Sequence, residues 1–240
     1  MSRLAIASCL LGWTLCLFAT SAQATLKGLN QIVTPDIQPT GQLSLSLQAE
    51  NSAVGNSQQF QTELGVVKRV EVGYYAGFHP GDNLFHAEVG LIQQKHLLLS
   101  TGLLNWSARG NSPQAFLEAG YYTGRLETMA GTIDAQHHMG MIFGSAYQLN
   151  EKLQLSADYQ SGKANFATAG FQWDITGHLQ LNPALYISNG ANTKVYPYAV
   201  LTWNIALWNP DKADKPATAP ATAPATGTGA AAKPADKPKS

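Results

Sequence analysis

From Gly41 to Ile205 the chain keeps returning to one unit, a run alternating apolar and polar side chains and then a turn. Leu153-Gln154-Leu155-Ser156-Ala157-Asp158-Tyr159-Gln160 is the cleanest copy, and Leu43-Ser44-Leu45-Ser46-Leu47-Gln48 repeats it. Successive side chains of a strand point to opposite faces, so each run has one greasy and one more polar face. Runs of roughly nine to eleven residues match a tilted strand that crosses a bilayer. Alternation and turn residues place about twelve strands: 41–50, 58–67, 69–78, 83–93, 96–106, 114–123, 125–133, 138–148, 152–160, 164–173, 178–187 and 195–206. The expected fold is all-β, an antiparallel up-and-down transmembrane β-barrel.

The N-terminus supports export. Arg3 precedes an almost wholly apolar Leu4 to Phe18, and Ser21-Ala22-Gln23-Ala24 offers a small-x-small cleavage site, the three-part order of a secretory signal over 1–24. Both cysteines, Cys9 and Cys16, lie within it. The exported chain is therefore expected to hold no disulfide and no thiolate-bound metal. Formal net charge is zero and 12% of residues are charged, about half the share of a soluble domain. Without a basic stripe, nucleic acid is not an expected partner; outer-membrane lipid is.

Residues 25–40 carry Pro35 and Pro39 and no periodicity. They are expected to precede the barrel or fold against its periplasmic mouth, and none of the connections between strands is long enough to plug a lumen. The barrel domain spans 41–208. From 209 to 240 Ala, Pro, Thr and Lys dominate, a composition that cannot bury a core; the expectation is a disordered periplasmic tail, free to touch the cell wall. Connections alternate between tight turns (Lys68-Arg69, Gln94-Lys95, Gly124, Asn150-Glu151) and longer loops (51–57, 107–113, 188–194). Bacterial barrels put the short set on the periplasmic side, which predicts location in the outer membrane of a Gram-negative-type envelope.

One face collects Val70, Val72, Tyr74, Phe85, Val89, Leu117, Leu155, Leu181 and Leu201; it is assigned to lipid. Phe78, Phe85 and Trp106 at one edge, and Tyr121, Tyr122, Trp173, Trp203 and Trp208 at the other, suit aromatic girdles. The opposite face carries a recurrent Glu-x-Gly, at Glu63, Glu71, Glu88 and Glu118, with Asp158, Arg69, His86 and Arg125 on the same side by parity. Two arrangements satisfy such acids. Either they line a water-filled, cation-attracting pore, or they meet Arg69, Arg125 and hydroxyls in a packed interior where the glycines make room.

Catalytic patterns were sought. Ser100 and Ser156 have no spacing to a histidine that marks a triad, His137-His138 is weak as a metal pair, and neither HExxH nor a phosphate loop occurs. No enzyme activity, cofactor or metal is expected. The alternating strands of 41–206, the turn Asp174-Ile175-Thr176-Gly177 and a closing strand Tyr198 to Trp203 resemble porin-like and transporter-like outer-membrane barrels. Those encoded with meta-pathway phenol-degradation enzymes are the most similar group. The resemblance implies a small or gated pore, and a last strand read by barrel-insertion machinery; it implies no individual binding residue. The expected function is a narrow passive channel for small solutes or ions. The alternative is a non-transporting structural barrel whose tail or loops bind cell-wall or envelope partners.

Overall fold

In the computed structural model, residues 29–78, 81–107, 113–135 and 138–208 are described; the assigned signal, His79, His137 and the tail lie outside them. Twelve strands form one closed antiparallel barrel in sequence order: β1 Gln42–Glu50, β2 Gln58–Val67, β3 Val70–Gly77, β4 Asn83–Gln93, β5 Leu97–Trp106, β6 Gln114–Thr123, β7 Leu126–Ala135, β8 His138–Asn150, β9 Leu153–Gln160, β10 Phe166–Asp174, β11 Leu179–Ser188 and β12 Val195–Ala206. Every expected strand is present. The largest shifts are at β7, β8 and β10, where the ladder Leu126↔Tyr147 to Ala135↔His138 runs further than the blurred alternation suggested.

Closure is made by β1 against β12, from Gln42↔Ala206 to Glu50↔Tyr198. On the inner face of that seam Ser46 and Thr202 share a hydrogen bond of 2.8 Å, and Ser44 donates to Asn204. Pro183 lies in β11 and has no N–H for the ladder. The Asn182 side chain takes over, donating Nδ2–H to the Phe171 carbonyl at 3.3 Å. Arg69, at φ 67°, turns the chain between β2 and β3, and Asn105, at φ 56°, sits at the irregularity near the end of β5. The β4–β5 register shifts beside Asn105, so Trp106, even-numbered like the inward residues of its strand, points outward against Phe85 with ring centroids 6.4 Å apart.

The outer face is apolar and uncovered. Leu47, Leu91, Leu117, Phe143, Leu185 and Leu201 are each exposed, on strands all round the ring. A continuous exposed apolar band of this kind would not persist in water, and it is the outer wall of a lipid-embedded barrel. Phe78, Phe85 and Trp106 are exposed at the mouth that carries the long loops, and Tyr121, Trp173, Trp203 and Trp208 at the mouth with tight turns. Tyr122 is a correction. Consecutive strand residues face opposite ways, and with Tyr121 outward its neighbour turns in, where its hydroxyl donates to Glu127 Oε1 at 2.6 Å.

Placing a cation on the lipid wall tests this assignment. Leu201, paired with Leu47 and Leu181 in mid-ladder, is predicted on replacement by Arg to lower unfolding stability in phospholipid vesicles by about 2–4 kcal/mol. An unchanged urea midpoint would place that face away from lipid.

Candidate functional site

An eight-stranded barrel is just filled by its own side chains, and diameter grows with strand number. Twelve strands therefore leave an interior that something must occupy. Residues 29–40 occupy it, which corrects the expectation that this stretch precedes the barrel or folds against its mouth. Leu29, Asn30, Ile32, Thr34, Pro35 and Gln38 are all buried. The segment runs on into β1 and is tied to β2 through a bridge from Thr40 to Gly65 and a 2.7 Å bond from the Gly41 N–H to the Gly65 carbonyl.

Two inner carboxylates hold its backbone. Asp158 Oδ2 accepts the N–H groups of Asn30 at 2.7 Å and Gln31 at 3.0 Å. Glu71 Oε2 accepts the Gln38 N–H at 2.8 Å. Asp158 is on β9 and Glu71 on β3, half-way round the ring from each other, so the segment reaches across the bore. Asn30 is its best-tied residue. Its Nδ2 donates to Thr168 at 3.0 Å, its Oδ1 accepts from Ser156 at 3.1 Å, and its carbonyl accepts the Tyr186 hydroxyl. Gln93 Nε2 donates to the Pro35 carbonyl at 2.8 Å, and Gln38 Nε2 to Ser44 at 2.6 Å.

The inner glycines now have a reason. A methyl group at Gly65 would strike the Pro39 and Gln38 carbonyls, at Gly90 Ile37, at Gly120 Pro35, at Gly144 Leu29 and Ile32, and at Gly170 the Asn30 side chain. They form a track in which the segment lies. Gly73 differs, since its missing side chain leaves space for the His86 ring.

Of the acids singled out in the sequence, Glu71, Glu88 and Glu118 are fully buried, Asp158 nearly so, and Glu63 is half-buried. Glu71 and Glu88 stand opposite each other on β3 and β4, and Glu118 opposite Ser100. His86 is buried with Nε2 3.6 Å from Glu71 Oε1. The two arginines are corrections. Parity put them inward, but Arg69 and Arg125 belong to turns, where the strand rule lapses, and both are exposed; Arg125 donates to the Leu149 carbonyl at 3.2 Å. Lys68, Lys95, Lys152, Lys163 and Lys194 are likewise exposed in connections. Among the described residues the inner wall carries carboxylates without lysine or arginine. The partners of Asp158 and of Glu71 Oε2 are amide N–H groups.

Above the segment, towards the long loops, lies a cavity of about 530 Å³. Its floor is Leu29 to Val33, and its walls include Gln48, Glu50, Gln61, Glu63, Tyr75, His86, Phe166, Tyr186 and Tyr198. Here Gln61 Nε2 donates to Gln48 Oε1 at 2.7 Å, Tyr75 donates to Glu63 Oε1 at 2.9 Å, and Tyr186 and Tyr198 stack 5.0 Å apart. The β6–β8 side is filled by contrast: Phe116, Met129, Ile133, Ile142 and Ala146 pack against Leu29 and Ile32. Neither those inward hydrophobes nor the segment's place could be read from alternation. The glycine at the second place after each glutamate was the signal, because a glycine inside a strand marks a close backbone approach.

Among the described residues no catalytic set assembles: Ser156 is engaged by Asn30, His96 contacts the Tyr122 carbonyl at 2.8 Å on the surface, His138 is exposed and His178 half-buried. No group of three or more His, Cys, Asp or Glu among the described residues could hold a metal ion.

No family model matches the chain, and no curated protein matches it. Among solved structures it is similar to a NanC porin, at 8% identity over 67% of this chain and 97% of that one, with a TM-score of 0.48. It is also similar to the KdgM porin in complex with disordered oligogalacturonate, at 7% identity over 68% and 98%, TM-score 0.49. A triple mutant of Rhodopseudomonas blastica porin follows at 10% identity, 64% and 57%, TM-score 0.40. Likeness at these levels leaves the reading of the interior to this chain's own residues.

The seating of the segment can be measured, because both cysteines of the sequence lie in the first sixteen residues. A cysteine at Ile32 is predicted to resist a bulky water-soluble maleimide in the folded barrel. Charge-assisted bonds contribute about 1.5–3 kcal/mol each, so adding Asp158→Ala and Glu71→Ala should speed labelling by roughly tenfold or more. Equal rates with and without the two carboxylates would deny them the anchoring role.

Proposed function

We propose that the protein is an outer-membrane barrel acting as a narrow passive channel for small solutes, leaning towards cations, with residues 29–40 as its constriction. The tight-turn mouth would face the periplasm and the long-loop mouth the outside. The observation that supports this most is the inner wall itself: carboxylates from β2, β3, β4, β6 and β9, with no lysine or arginine on it among the described residues. In a bore with low-dielectric walls such a charge set attracts cations and repels anions. The segment leaves no wide aqueous bore, so any route is small.

A second reading, a sealed structural barrel, is favoured by one observation. Leu29 and Ile32 close against an apolar cluster on β6 to β8, which is packing of the kind that fills a core. The tail would then supply the envelope contact.

Planar-bilayer recording of the detergent-purified protein under a salt gradient separates the two. Small discrete steps with a cation-selective reversal potential are expected. Releasing the segment with Asp158→Ala and Glu71→Ala should enlarge the steps several-fold. Silence from folded, inserted wild-type barrel, persisting after release of the segment, would overturn the channel and leave the sealed barrel.

A further inference from the structure

The cavity over the constriction has a chemistry of its own. Its wall presents the carboxyl groups of Glu50 and Glu63, and none of its described lining residues is a lysine or arginine. Its buried atoms without a hydrogen-bond partner point the same way. Gln31 Oε1 is an acceptor with no donor. His86, whose side chain is only 3% exposed, directs Nε2 towards Glu71 Oε1 and leaves Nδ1 with no hydrogen-bond partner. With the proton on Nε2, that nitrogen is also an acceptor. A site with surplus acceptors and two carboxyl groups asks for a ligand that brings positive charge.

The remaining wall is aromatic. Phe166 meets Tyr186 with centroids 5.5 Å apart, Tyr186 meets Tyr198 at 5.0 Å, and Tyr75 lies across from them on β3. Aromatic faces attract ammonium groups through their negative π-clouds, more strongly where water is scarce. Aromatic rings also suit a neutral sugar, whose hydroxyls could meet the acceptors, but a sugar brings no charge to match the two carboxyl groups. At about 530 Å³ the space falls within the range of small-molecule sites.

We propose that this cavity is a binding site for a small organic cation, an amine or quaternary ammonium compound, held by Glu50 and Glu63 together with the Phe166–Tyr186–Tyr198 wall, which Glu50 adjoins through its pairing with Tyr198. It rests on the channel reading only for its role as a station on the route; as a binding site it stands without conduction.

Choline chloride is the probe, titrated into the purified full-length barrel and followed by calorimetry, with maltose at the same ionic strength as the neutral comparator. Saturable choline binding is expected, with maltose binding at least roughly tenfold weaker. Replacing both Glu50 and Glu63 by Gln should raise the choline Kd by roughly tenfold or more, with folding verified by the heat-dependent gel shift of a closed barrel. If that variant does not fold, Val54→Trp, a change in the loop beside the cavity, should weaken choline by filling its space. Absence of saturable binding, maltose binding as tightly as choline, or an unchanged Kd in the folded variants would overturn the proposal. Current steps without choline binding would remove the site and keep the channel, whereas choline binding in a silent barrel would keep the site and remove the channel.

Discussion

Everything in this molecule follows from the demand that backbone amides in lipid be paired within the protein. Twelve strands meet it only because β1 and β12 join along nine residue pairs from Gln42↔Ala206 to Glu50↔Tyr198. Even at Pro183 in β11, which has no N–H, the missing donor is replaced by the Asn182 side chain. Closure fixes the girth, and the girth creates the second problem. A ring of twelve is too wide for its own side chains to fill.

Residues 29–40 answer that second problem, and their polarity explains the inner acids. A peptide without regular structure brings unpaired N–H groups into the interior, and each must find an acceptor. Asp158 and Glu71 supply acceptors from opposite walls. Asp158 and Glu71 gain donors without a buried lysine or arginine, and the segment's N–H groups gain acceptors without forming a sheet. Arginine partners were expected from parity; backbone amides do the task instead.

Legibility divided along the same line. β9 was readable because Leu153, Leu155 and Ala157 alternate with Gln154, Ser156 and Asp158, and each strand declares itself locally in this way. Segment 29–40 was not, because two prolines and no periodicity say where regular structure ends but not where the chain lies. The arginines failed for a related reason: parity holds while the backbone stays extended, and Arg69 sits at positive φ. Tyr121-Tyr122 shows parity being under-used, since two adjacent residues of one strand cannot both join a lipid girdle. The Glu-x-Gly repeats held the overlooked information. Gly65, Gly90 and Gly120 share the face of their glutamates and mark where another piece of chain passes close.

The interior is lopsided, and the lopsidedness sets where a solute can travel. From β6 to β8 the inner face carries an apolar cluster, Phe116, Met129, Ile133 and Ile142, sealed by Leu29 and Ile32; a hydrated ion gains nothing by entering there. From β9 through β12 to β3 the inner face is Ser, Thr, Asn, Gln, Tyr and Glu, and the cavity follows that side. The same side holds the segment through hydrogen bonds such as those of Asn30 to Thr168 and Ser156, which water or a polar solute can replace, whereas the apolar contacts have no aqueous substitute. In the proposed channel a path past residues 29–40 would run along β9 to β3, away from the apolar cluster against which Leu29 and Ile32 pack.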